Sequence, residues 1–235
     1  MRTLTITTAL LAGCTTQAIG NTEYDEIARM VGTTITMPES GGDVGAAADT
    51  ALLALGEMPA GMVDRGGMAI GTRAGLDVVY MAWCTDALGA QLQRCGPTAA
   101  TATVIGQWTG DLALGDLSGT IARGGQWTLT GIASGAAMLI GTANFEIDAS
   151  FAATSANYHL TVTETTALQV DMAMDAVVGG MVASTVAADR EVDTGHGAQS
   201  WHYDVDAQVT FPDRTHAILV LDGAHTYDLV IMYIR

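Results

Sequence analysis

The chain has 235 residues, of which 25 are acidic and nine are basic, and its net charge is −16. Such a charge repels nucleic acid and anionic membrane surfaces, which argues against both as partners. Hydrophobic residues make up 49% of the chain and charged residues only 14%, a composition that argues against disorder and predicts a globular protein.

The first residues have the layout of a bacterial export signal. Met1-Arg2 carries one positive charge, and residues 3–12 (TLTITTALLA) form an apolar run too short to span a bilayer as a helix. Leu11-Ala12-Gly13-Cys14 resembles the lipobox of bacterial lipoproteins. The resemblance implies a signal peptide over residues 1–13 and a lipid-modified Cys14 that anchors the mature chain in the cell envelope. The alternative is an ordinary secretory leader that happens to contain a cysteine.

The residue after the lipidated cysteine bears on localisation. Thr15, and not an aspartate, follows Cys14, and in the lipoprotein family this favours the outer membrane. The sequence therefore predicts a signal peptide over residues 1–13, a tether over residues 14–20, and one β-rich domain over residues 21–235. The membrane is the expected partner through the lipid on Cys14.

Two helices are predicted within about residues 21–60. Tyr24, Ile27 and Met30 recur at helical spacing after Asn21, and Gly32 is expected to end this first helix. Residues 33–37 (TTITM) predict a short strand. Residues 44–58 are rich in alanine and leucine and predict a second helix that stops at Pro59.

From Gly61 onward the apolar period falls to two, which indicates β-strands. The fold class expected is mainly β: an antiparallel meander forming a curved sheet or partly open barrel, with one or two N-terminal helices covering one face. Up to eleven strands are predicted, over residues 76–83, 101–109, 117–123, 126–132, 137–151, 158–165, 167–174, 181–189, 201–211, 216–221 and 226–234.

Alternation along these strands predicts one wet face. Phe145, Ile147 and Phe151 are expected to be buried, with Glu146 and Asp148 exposed between them. The last hairpin is apolar on both faces, so a cover is needed, and the N-terminal helix is the expected one.

Cys84 and Cys95 are the two cysteines that remain after Cys14. In an exported protein they predict a disulfide, which closes a short loop and stabilises by about 2–3 kcal/mol. The segments YMAWCTDA (residues 80–87) and CGP (residues 95–97), with the two GQWT copies at 106–109 and 125–128, resemble uncharacterised lipoproteins of GC-rich, myxobacterial type. That resemblance implies no activity.

Candidate metal ligands are few. His202, Asp204 and Asp206 alternate along one predicted strand and are weak candidates for a metal site, but they lie on a face expected to be wet. No catalytic motif was found, and the sequence predicts no cofactor and no catalytic residues.

Three functions are therefore kept as hypotheses. The first is a lipid-anchored envelope lipoprotein with a non-catalytic structural or interaction domain. The second is a carrier or binder of an apolar ligand in an open-barrel cavity, because helices ahead of a many-stranded sheet resemble the periplasmic lipoprotein carriers in fold. The third is a metal-dependent or carboxylate-based enzyme. The protein or ligand partner is left open.

Overall fold

The computed structural model describes residues 19–36, 42–114 and 117–231. Two helices, α1 (Asn21–Thr36) and α2 (Asp43–Ala54), precede eleven strands. The strands are β1 (Met62–Asp64), β2 (Met68–Arg73), β3 (Leu76–Thr85), β4 (Thr101–Leu114), β5 (Leu117–Thr130), β6 (Ala136–Phe151), β7 (Ala156–Asp171), β8 (Ala176–Asp193), β9 (Ala198–Phe211), β10 (His216–Leu221) and β11 (His225–Val230).

The strands form one antiparallel sheet in chain order, and it does not close. This confirms the predicted fold class. Both helices pack on one face of the sheet, α1 against β10 and β11 and α2 against β3, β4, β5, β7 and β8. We call the helix-covered side the inner face and the opposite side the outer face. The expected alternation is present: Phe145, Ile147 and Phe151 are buried, and Glu146 and Asp148 are exposed.

The first helix runs four residues further than predicted. Residues 33–36 are helical and do not form the expected strand, while Met37 lies outside the described residues. Thr34 and Thr36 return their hydroxyl groups to the helix, donating to the carbonyls of Val31 and Gly32. A Cβ at Gly32 would lie 3.0 Å from Leu229 Cδ2, so this glycine marks close packing against β11 and not a helix end.

The second helix ends earlier than predicted, at Ala54. Gly56 adopts a positive φ of 79°, and its N–H donates to the carbonyl of Leu53. The N–H of Glu57 donates to the carbonyl of Leu52, which completes a Schellman motif. The helix is therefore terminated by Gly56, three residues before Pro59.

The predicted number of eleven strands is correct, but only because two kinds of error cancel. Residues 117–123 and 126–132 were predicted as two strands but belong largely to β5, and residues 158–165 and 167–174 belong largely to β7. The short strand β1 at the edge of the sheet and its neighbour β2 were not predicted. Long continuous strands give a sheet with two distinct ends. We call them the apolar end, where β3–β4, β7–β8 and β9–β10 connect, and the acidic end, where β6–β7, β8–β9 and β10–β11 connect.

Candidate functional site

Three arginines on the inner face of the sheet pair with carboxylates of the helices. We call them the inner arginine sites, and they are centred on Arg73 of β2, Arg123 of β5 and Arg190 of β8. In each, the helix supplies an acid that lies over the sheet. The ion pairs therefore hold α1 and α2 against the strands at three places.

The Arg123 site is the most deeply buried. The guanidinium lies 3.0 Å from Asp43 Oδ1 and also contacts Glu164 Oε1, and all three side chains are fully buried. Thr166 Oγ1 donates to Asp43 at 2.9 Å. Asp43 stands in the first turn of α2, where the helix dipole favours a negative charge. One cation thus faces two acids in a region without solvent.

Aromatic rings surround the same guanidinium. The Arg123 Cζ atom lies 5.3 Å from the ring centroid of Trp108, 5.6 Å from that of Trp127 and 5.5 Å from that of Phe145. The two indoles meet edge to face with centroids 5.5 Å apart. Cation–π attraction is strongest for such desolvated groups, so the rings offset part of the cost of burying the charge.

The two GQWT copies supply these indoles. They lie on the adjacent antiparallel strands β4 and β5, with Gly106 directly opposite Gly125. A Cβ at Gly125 would lie 2.3 Å from the Trp127 ring, and one at Gly106 would lie 2.8 Å from the Trp108 ring. Each glycine therefore makes room for the indole two residues later on the same face.

The other two inner sites use tyrosine as well as arginine. Arg73 binds both carboxylate oxygens of Asp49 at 3.0 and 3.1 Å, and Tyr80 donates to the same carboxylate at 2.6 Å. At the third site Arg190 lies 3.5 Å from Glu26 and 3.6 Å from Glu23. Tyr158 donates to Glu26 at 2.6 Å, and Thr154 donates to it from the β6–β7 connection.

Burial governs the ionisation of these groups. It raises the pKa of Asp49 against the opposing effect of Arg73, and it raises the pKa of Glu164 against that of Arg123. The pKa values of Tyr80 and Tyr158 are also raised, first by burial and then by their acidic partners. The phenols therefore stay protonated as donors. Each group is engaged in holding the helices, which leaves it poorly placed to act as a nucleophile or base.

Sequence reasoning missed these sites. The signal that could have found them is the two-residue alternation along each strand. Arg123 is on the same face of β5 as Ile121 and Trp127, and Glu164 is on the same face of β7 as Val162 and Leu168. A charged residue on a face that is otherwise apolar predicts a buried ion pair.

The weak metal candidates lie on the outer face near the acidic end. His202 Nδ1 is 2.7 Å from Asp189 and its Nε2 is 3.5 Å from Asp204, and the hydrogen bond with Asp189 is the main cause of its raised pKa. Asp206 instead receives no contact from His202; its backbone N–H donates to Asp222. Within the described residues, no group of three or more His, Cys, Asp or Glu side chains is placed to hold a metal ion.

The outer face is divided along its length. Near the acidic end, the row across β6 to β9 reads Asp148, His159, Asp189 and His202. Towards the apolar end, the residues of β3 to β9 in register with Met81 and Trp83 are all uncharged. Exposed hydrophobic side chains cluster there, and we call them the outer apolar patch: Met68, Met81, Trp83, Met138, Ile140 and Met181.

An open cleft lies beside α2, where the sheet does not close. Its volume is about 1000 Å³. Gly45, Ala48 and Leu52 of α2 line one side, and the β7–β8 and β9–β10 connections line another, with Ile231 after β11. Arg73 and Thr72 border it near the β2–β3 turn. The lining is predominantly apolar, with charged groups at its margin.

The predicted disulfide is confirmed, whereas the predicted lipidation of Cys14 is not tested. Cys84 and Cys95 form a disulfide with Cα atoms 5.2 Å apart, which confirms the predicted pairing. Cys14 lies outside the described residues, so its lipidation stays a prediction. None of the helices in the described part of the chain is long and apolar enough to cross a membrane.

Comparison with known proteins identifies no relative. No family model matches the chain, and neither does any curated protein or solved structure.

Proposed function

We propose that the protein is an exported, lipid-anchored lipoprotein of the cell envelope, and that its β domain is a non-catalytic interaction module. Cys14 is the anchor in this proposal, and the outer membrane is the expected location. We assign the outer apolar patch as the surface that binds a protein partner.

The patch supports an interaction because it exposes large apolar side chains on an uncharged part of a strongly acidic protein. Ile140 is 58% exposed and Trp83 is 38% exposed, although both are large apolar side chains. Between them in the same row stand Thr103 and Thr128. Exposed apolar patches of several hundred Å² are uncommon on monomeric proteins and mark interaction sites.

The inner face supports the non-catalytic part of the proposal. Its ionisable groups are consumed by the inner arginine sites, which stabilise the position of the helices. An enzyme would instead need polar groups that converge on an open cleft with pKa values matched to proton transfer.

Site-specific photocrosslinking in cells tests the patch. A photoreactive benzoyl-phenylalanine in place of Ile140 should give a discrete crosslinked species, and the same group in place of Thr161, on the acidic half of the outer face, should not. Adding Trp83→Glu should abolish the Ile140 crosslink while the protein level is unchanged. Equal crosslinking from both positions, or none from Ile140, would contradict the proposal.

A second candidate function is the binding of an amphipathic ligand. The cleft beside α2 supports it, because the rest of the inner face is filled by helices and aromatic rings while this space stays open. The two functions use different surfaces and can be tested separately.

A further inference from the structure

The cleft beside α2 has the dimensions of a ligand site. Its volume of about 1000 Å³ lies at the top of the range of about 300–1,000 Å³ for small-molecule sites. On the α2 side Ala48 and Leu52 are partly exposed and present apolar surface to it, while the buried Asp49 is paired with Arg73. Met174 and Ile231 extend that surface on the opposite side. An extended apolar chain fits this lining.

Two opposite charges lie at the margin of the cleft without neutralising each other. Arg214, in the β9–β10 connection, lies 3.3 Å from the sulfur of Met174 and forms no ion pair within the described residues. Asp175, the next residue after Met174, lines the same cleft and likewise has no cationic partner in that part of the chain. Arg214 thus approaches the turn that carries Asp175 but does not pair with it.

The surroundings of Asp175 destabilise its carboxylate, so that a bound cation would stabilise it. Burial raises the pKa of its carboxyl group, and Glu57 and Asp171 raise it further. Asp213, beside Arg214, is occupied by its own turn: it accepts hydrogen bonds from the backbone and hydroxyl group of Thr215. Arg73 also borders the cleft but is paired with Asp49, so the margin offers the Arg214 guanidinium to an anion and the Asp175 carboxylate to a cation.

We propose that the cleft binds a zwitterionic single-chain amphiphile, with its acyl chain along α2, its phosphate at Arg214 and its ammonium group at Asp175. This inference rests on the second proposed function and is independent of the outer apolar patch. A purely anionic chain would leave Asp175 unpaired and would be repelled by its charge, while a purely cationic chain would leave Arg214 unpaired. Only a head group of both signs satisfies the two side chains.

The probe is palmitoyl-lysophosphatidylethanolamine below its micellar concentration, measured by calorimetry on the full-length protein. We expect saturable one-to-one binding that is tighter than that of palmitate or hexadecylamine. Arg214→Gln and Asp175→Asn should each weaken it by about ten-fold, the effect expected for losing one charge-assisted hydrogen bond. Asparagine tolerates the positive φ of 48° at position 175.

A cleft-filling variant locates the binding. Ala48→Trp should abolish it, and Ala187→Trp, on the outer face, should leave it unchanged. The two head-group variants keep the test valid if Ala48→Trp does not fold. No saturable binding, equal binding of the singly charged amphiphiles, or unchanged binding by both head-group variants would overturn the inference. Photocrosslinking at the outer patch does not depend on any of these results.

Discussion

The guanidinium of Arg123 lies between Asp43 and Glu164, where none of the three side chains is exposed. Replacing it by glutamine would leave two acids buried without a cation. We expect Arg123→Gln to lower the free energy of unfolding by about 3–5 kcal/mol, measured by chemical denaturation. Arg65→Gln, at an exposed arginine, is the matched control and should stay within about 0.5 kcal/mol. A small effect at position 123 would mean that the ion pairs do not hold the helices.

Glu164 makes the stability depend on pH in an unusual direction. Burial raises its pKa from 4.5 to about 8 in the folded protein. Between these values the folded state holds a proton that the unfolded state has lost, so stability from this group falls as pH rises. Glu164→Gln should remove that decline when the free energy of unfolding is compared between about pH 5 and pH 8. An identical pH profile for both proteins would contradict the assignment.

At the scale of the elements, the glycine pairs of the central strands can be tested directly. Gly125→Ala would place a Cβ 2.3 Å from the Trp127 ring, whereas a Cβ at Gly124 has nothing within 4 Å. We expect Gly125→Ala to destabilise by about 1–3 kcal/mol through overpacking, and Gly124→Ala in the same strand to have little effect. Thermal unfolding of the two variants measures the difference. Equal melting temperatures would mean that the indole does not lie over Gly125.

The disulfide loop supports the end of the second helix. A Cβ at Gly56 would lie 2.7 Å from the carbonyl oxygen of Cys95, so the loop and the helix end are in close contact. We expect Cys84 and Cys95 to resist alkylation until the protein is reduced, and the double serine variant to lose about 2–3 kcal/mol of stability. Mass spectrometry before and after reduction reports the first effect. Rapid labelling without reductant would contradict the disulfide.

Element prediction succeeded where the local pattern and the tertiary packing agree. Strict alternation located β6 and β9, and the expectation of export led to the prediction of the Cys84–Cys95 disulfide. It failed at two glycine positions: Gly32 was predicted to end a helix and Gly124-Gly125 to separate two strands, yet Gly32 and Gly125 allow close packing against Leu229 and Trp127. The inner arginine sites could not be assembled from sequence, because their partners lie far apart in the chain, as with Asp49 and Arg73 or Glu26 and Arg190.

For the molecule as a whole, the position of α1 determines which end of the sheet lies nearest to the proposed anchor. Tyr24 donates to Asp222 at 2.7 Å and stacks on His225, so α1 begins beside the β10–β11 connection at the acidic end. A tether over residues 14–20 spans at most about 25 Å, whereas the 16-residue strand β6 is about 50 Å long. An anchored domain would stand with its acidic end near the membrane, and the apolar patch would be directed away from it.

The anchor is the central claim, and membrane fractionation of the Cys14→Ala variant tests it most directly. Wild-type protein should sediment with membranes and incorporate radiolabelled palmitate. The variant should incorporate none and should appear in the soluble fraction, with the Cys84–Cys95 disulfide intact as the control for folding. A Cys14→Ala protein that remains with the membranes would contradict the account.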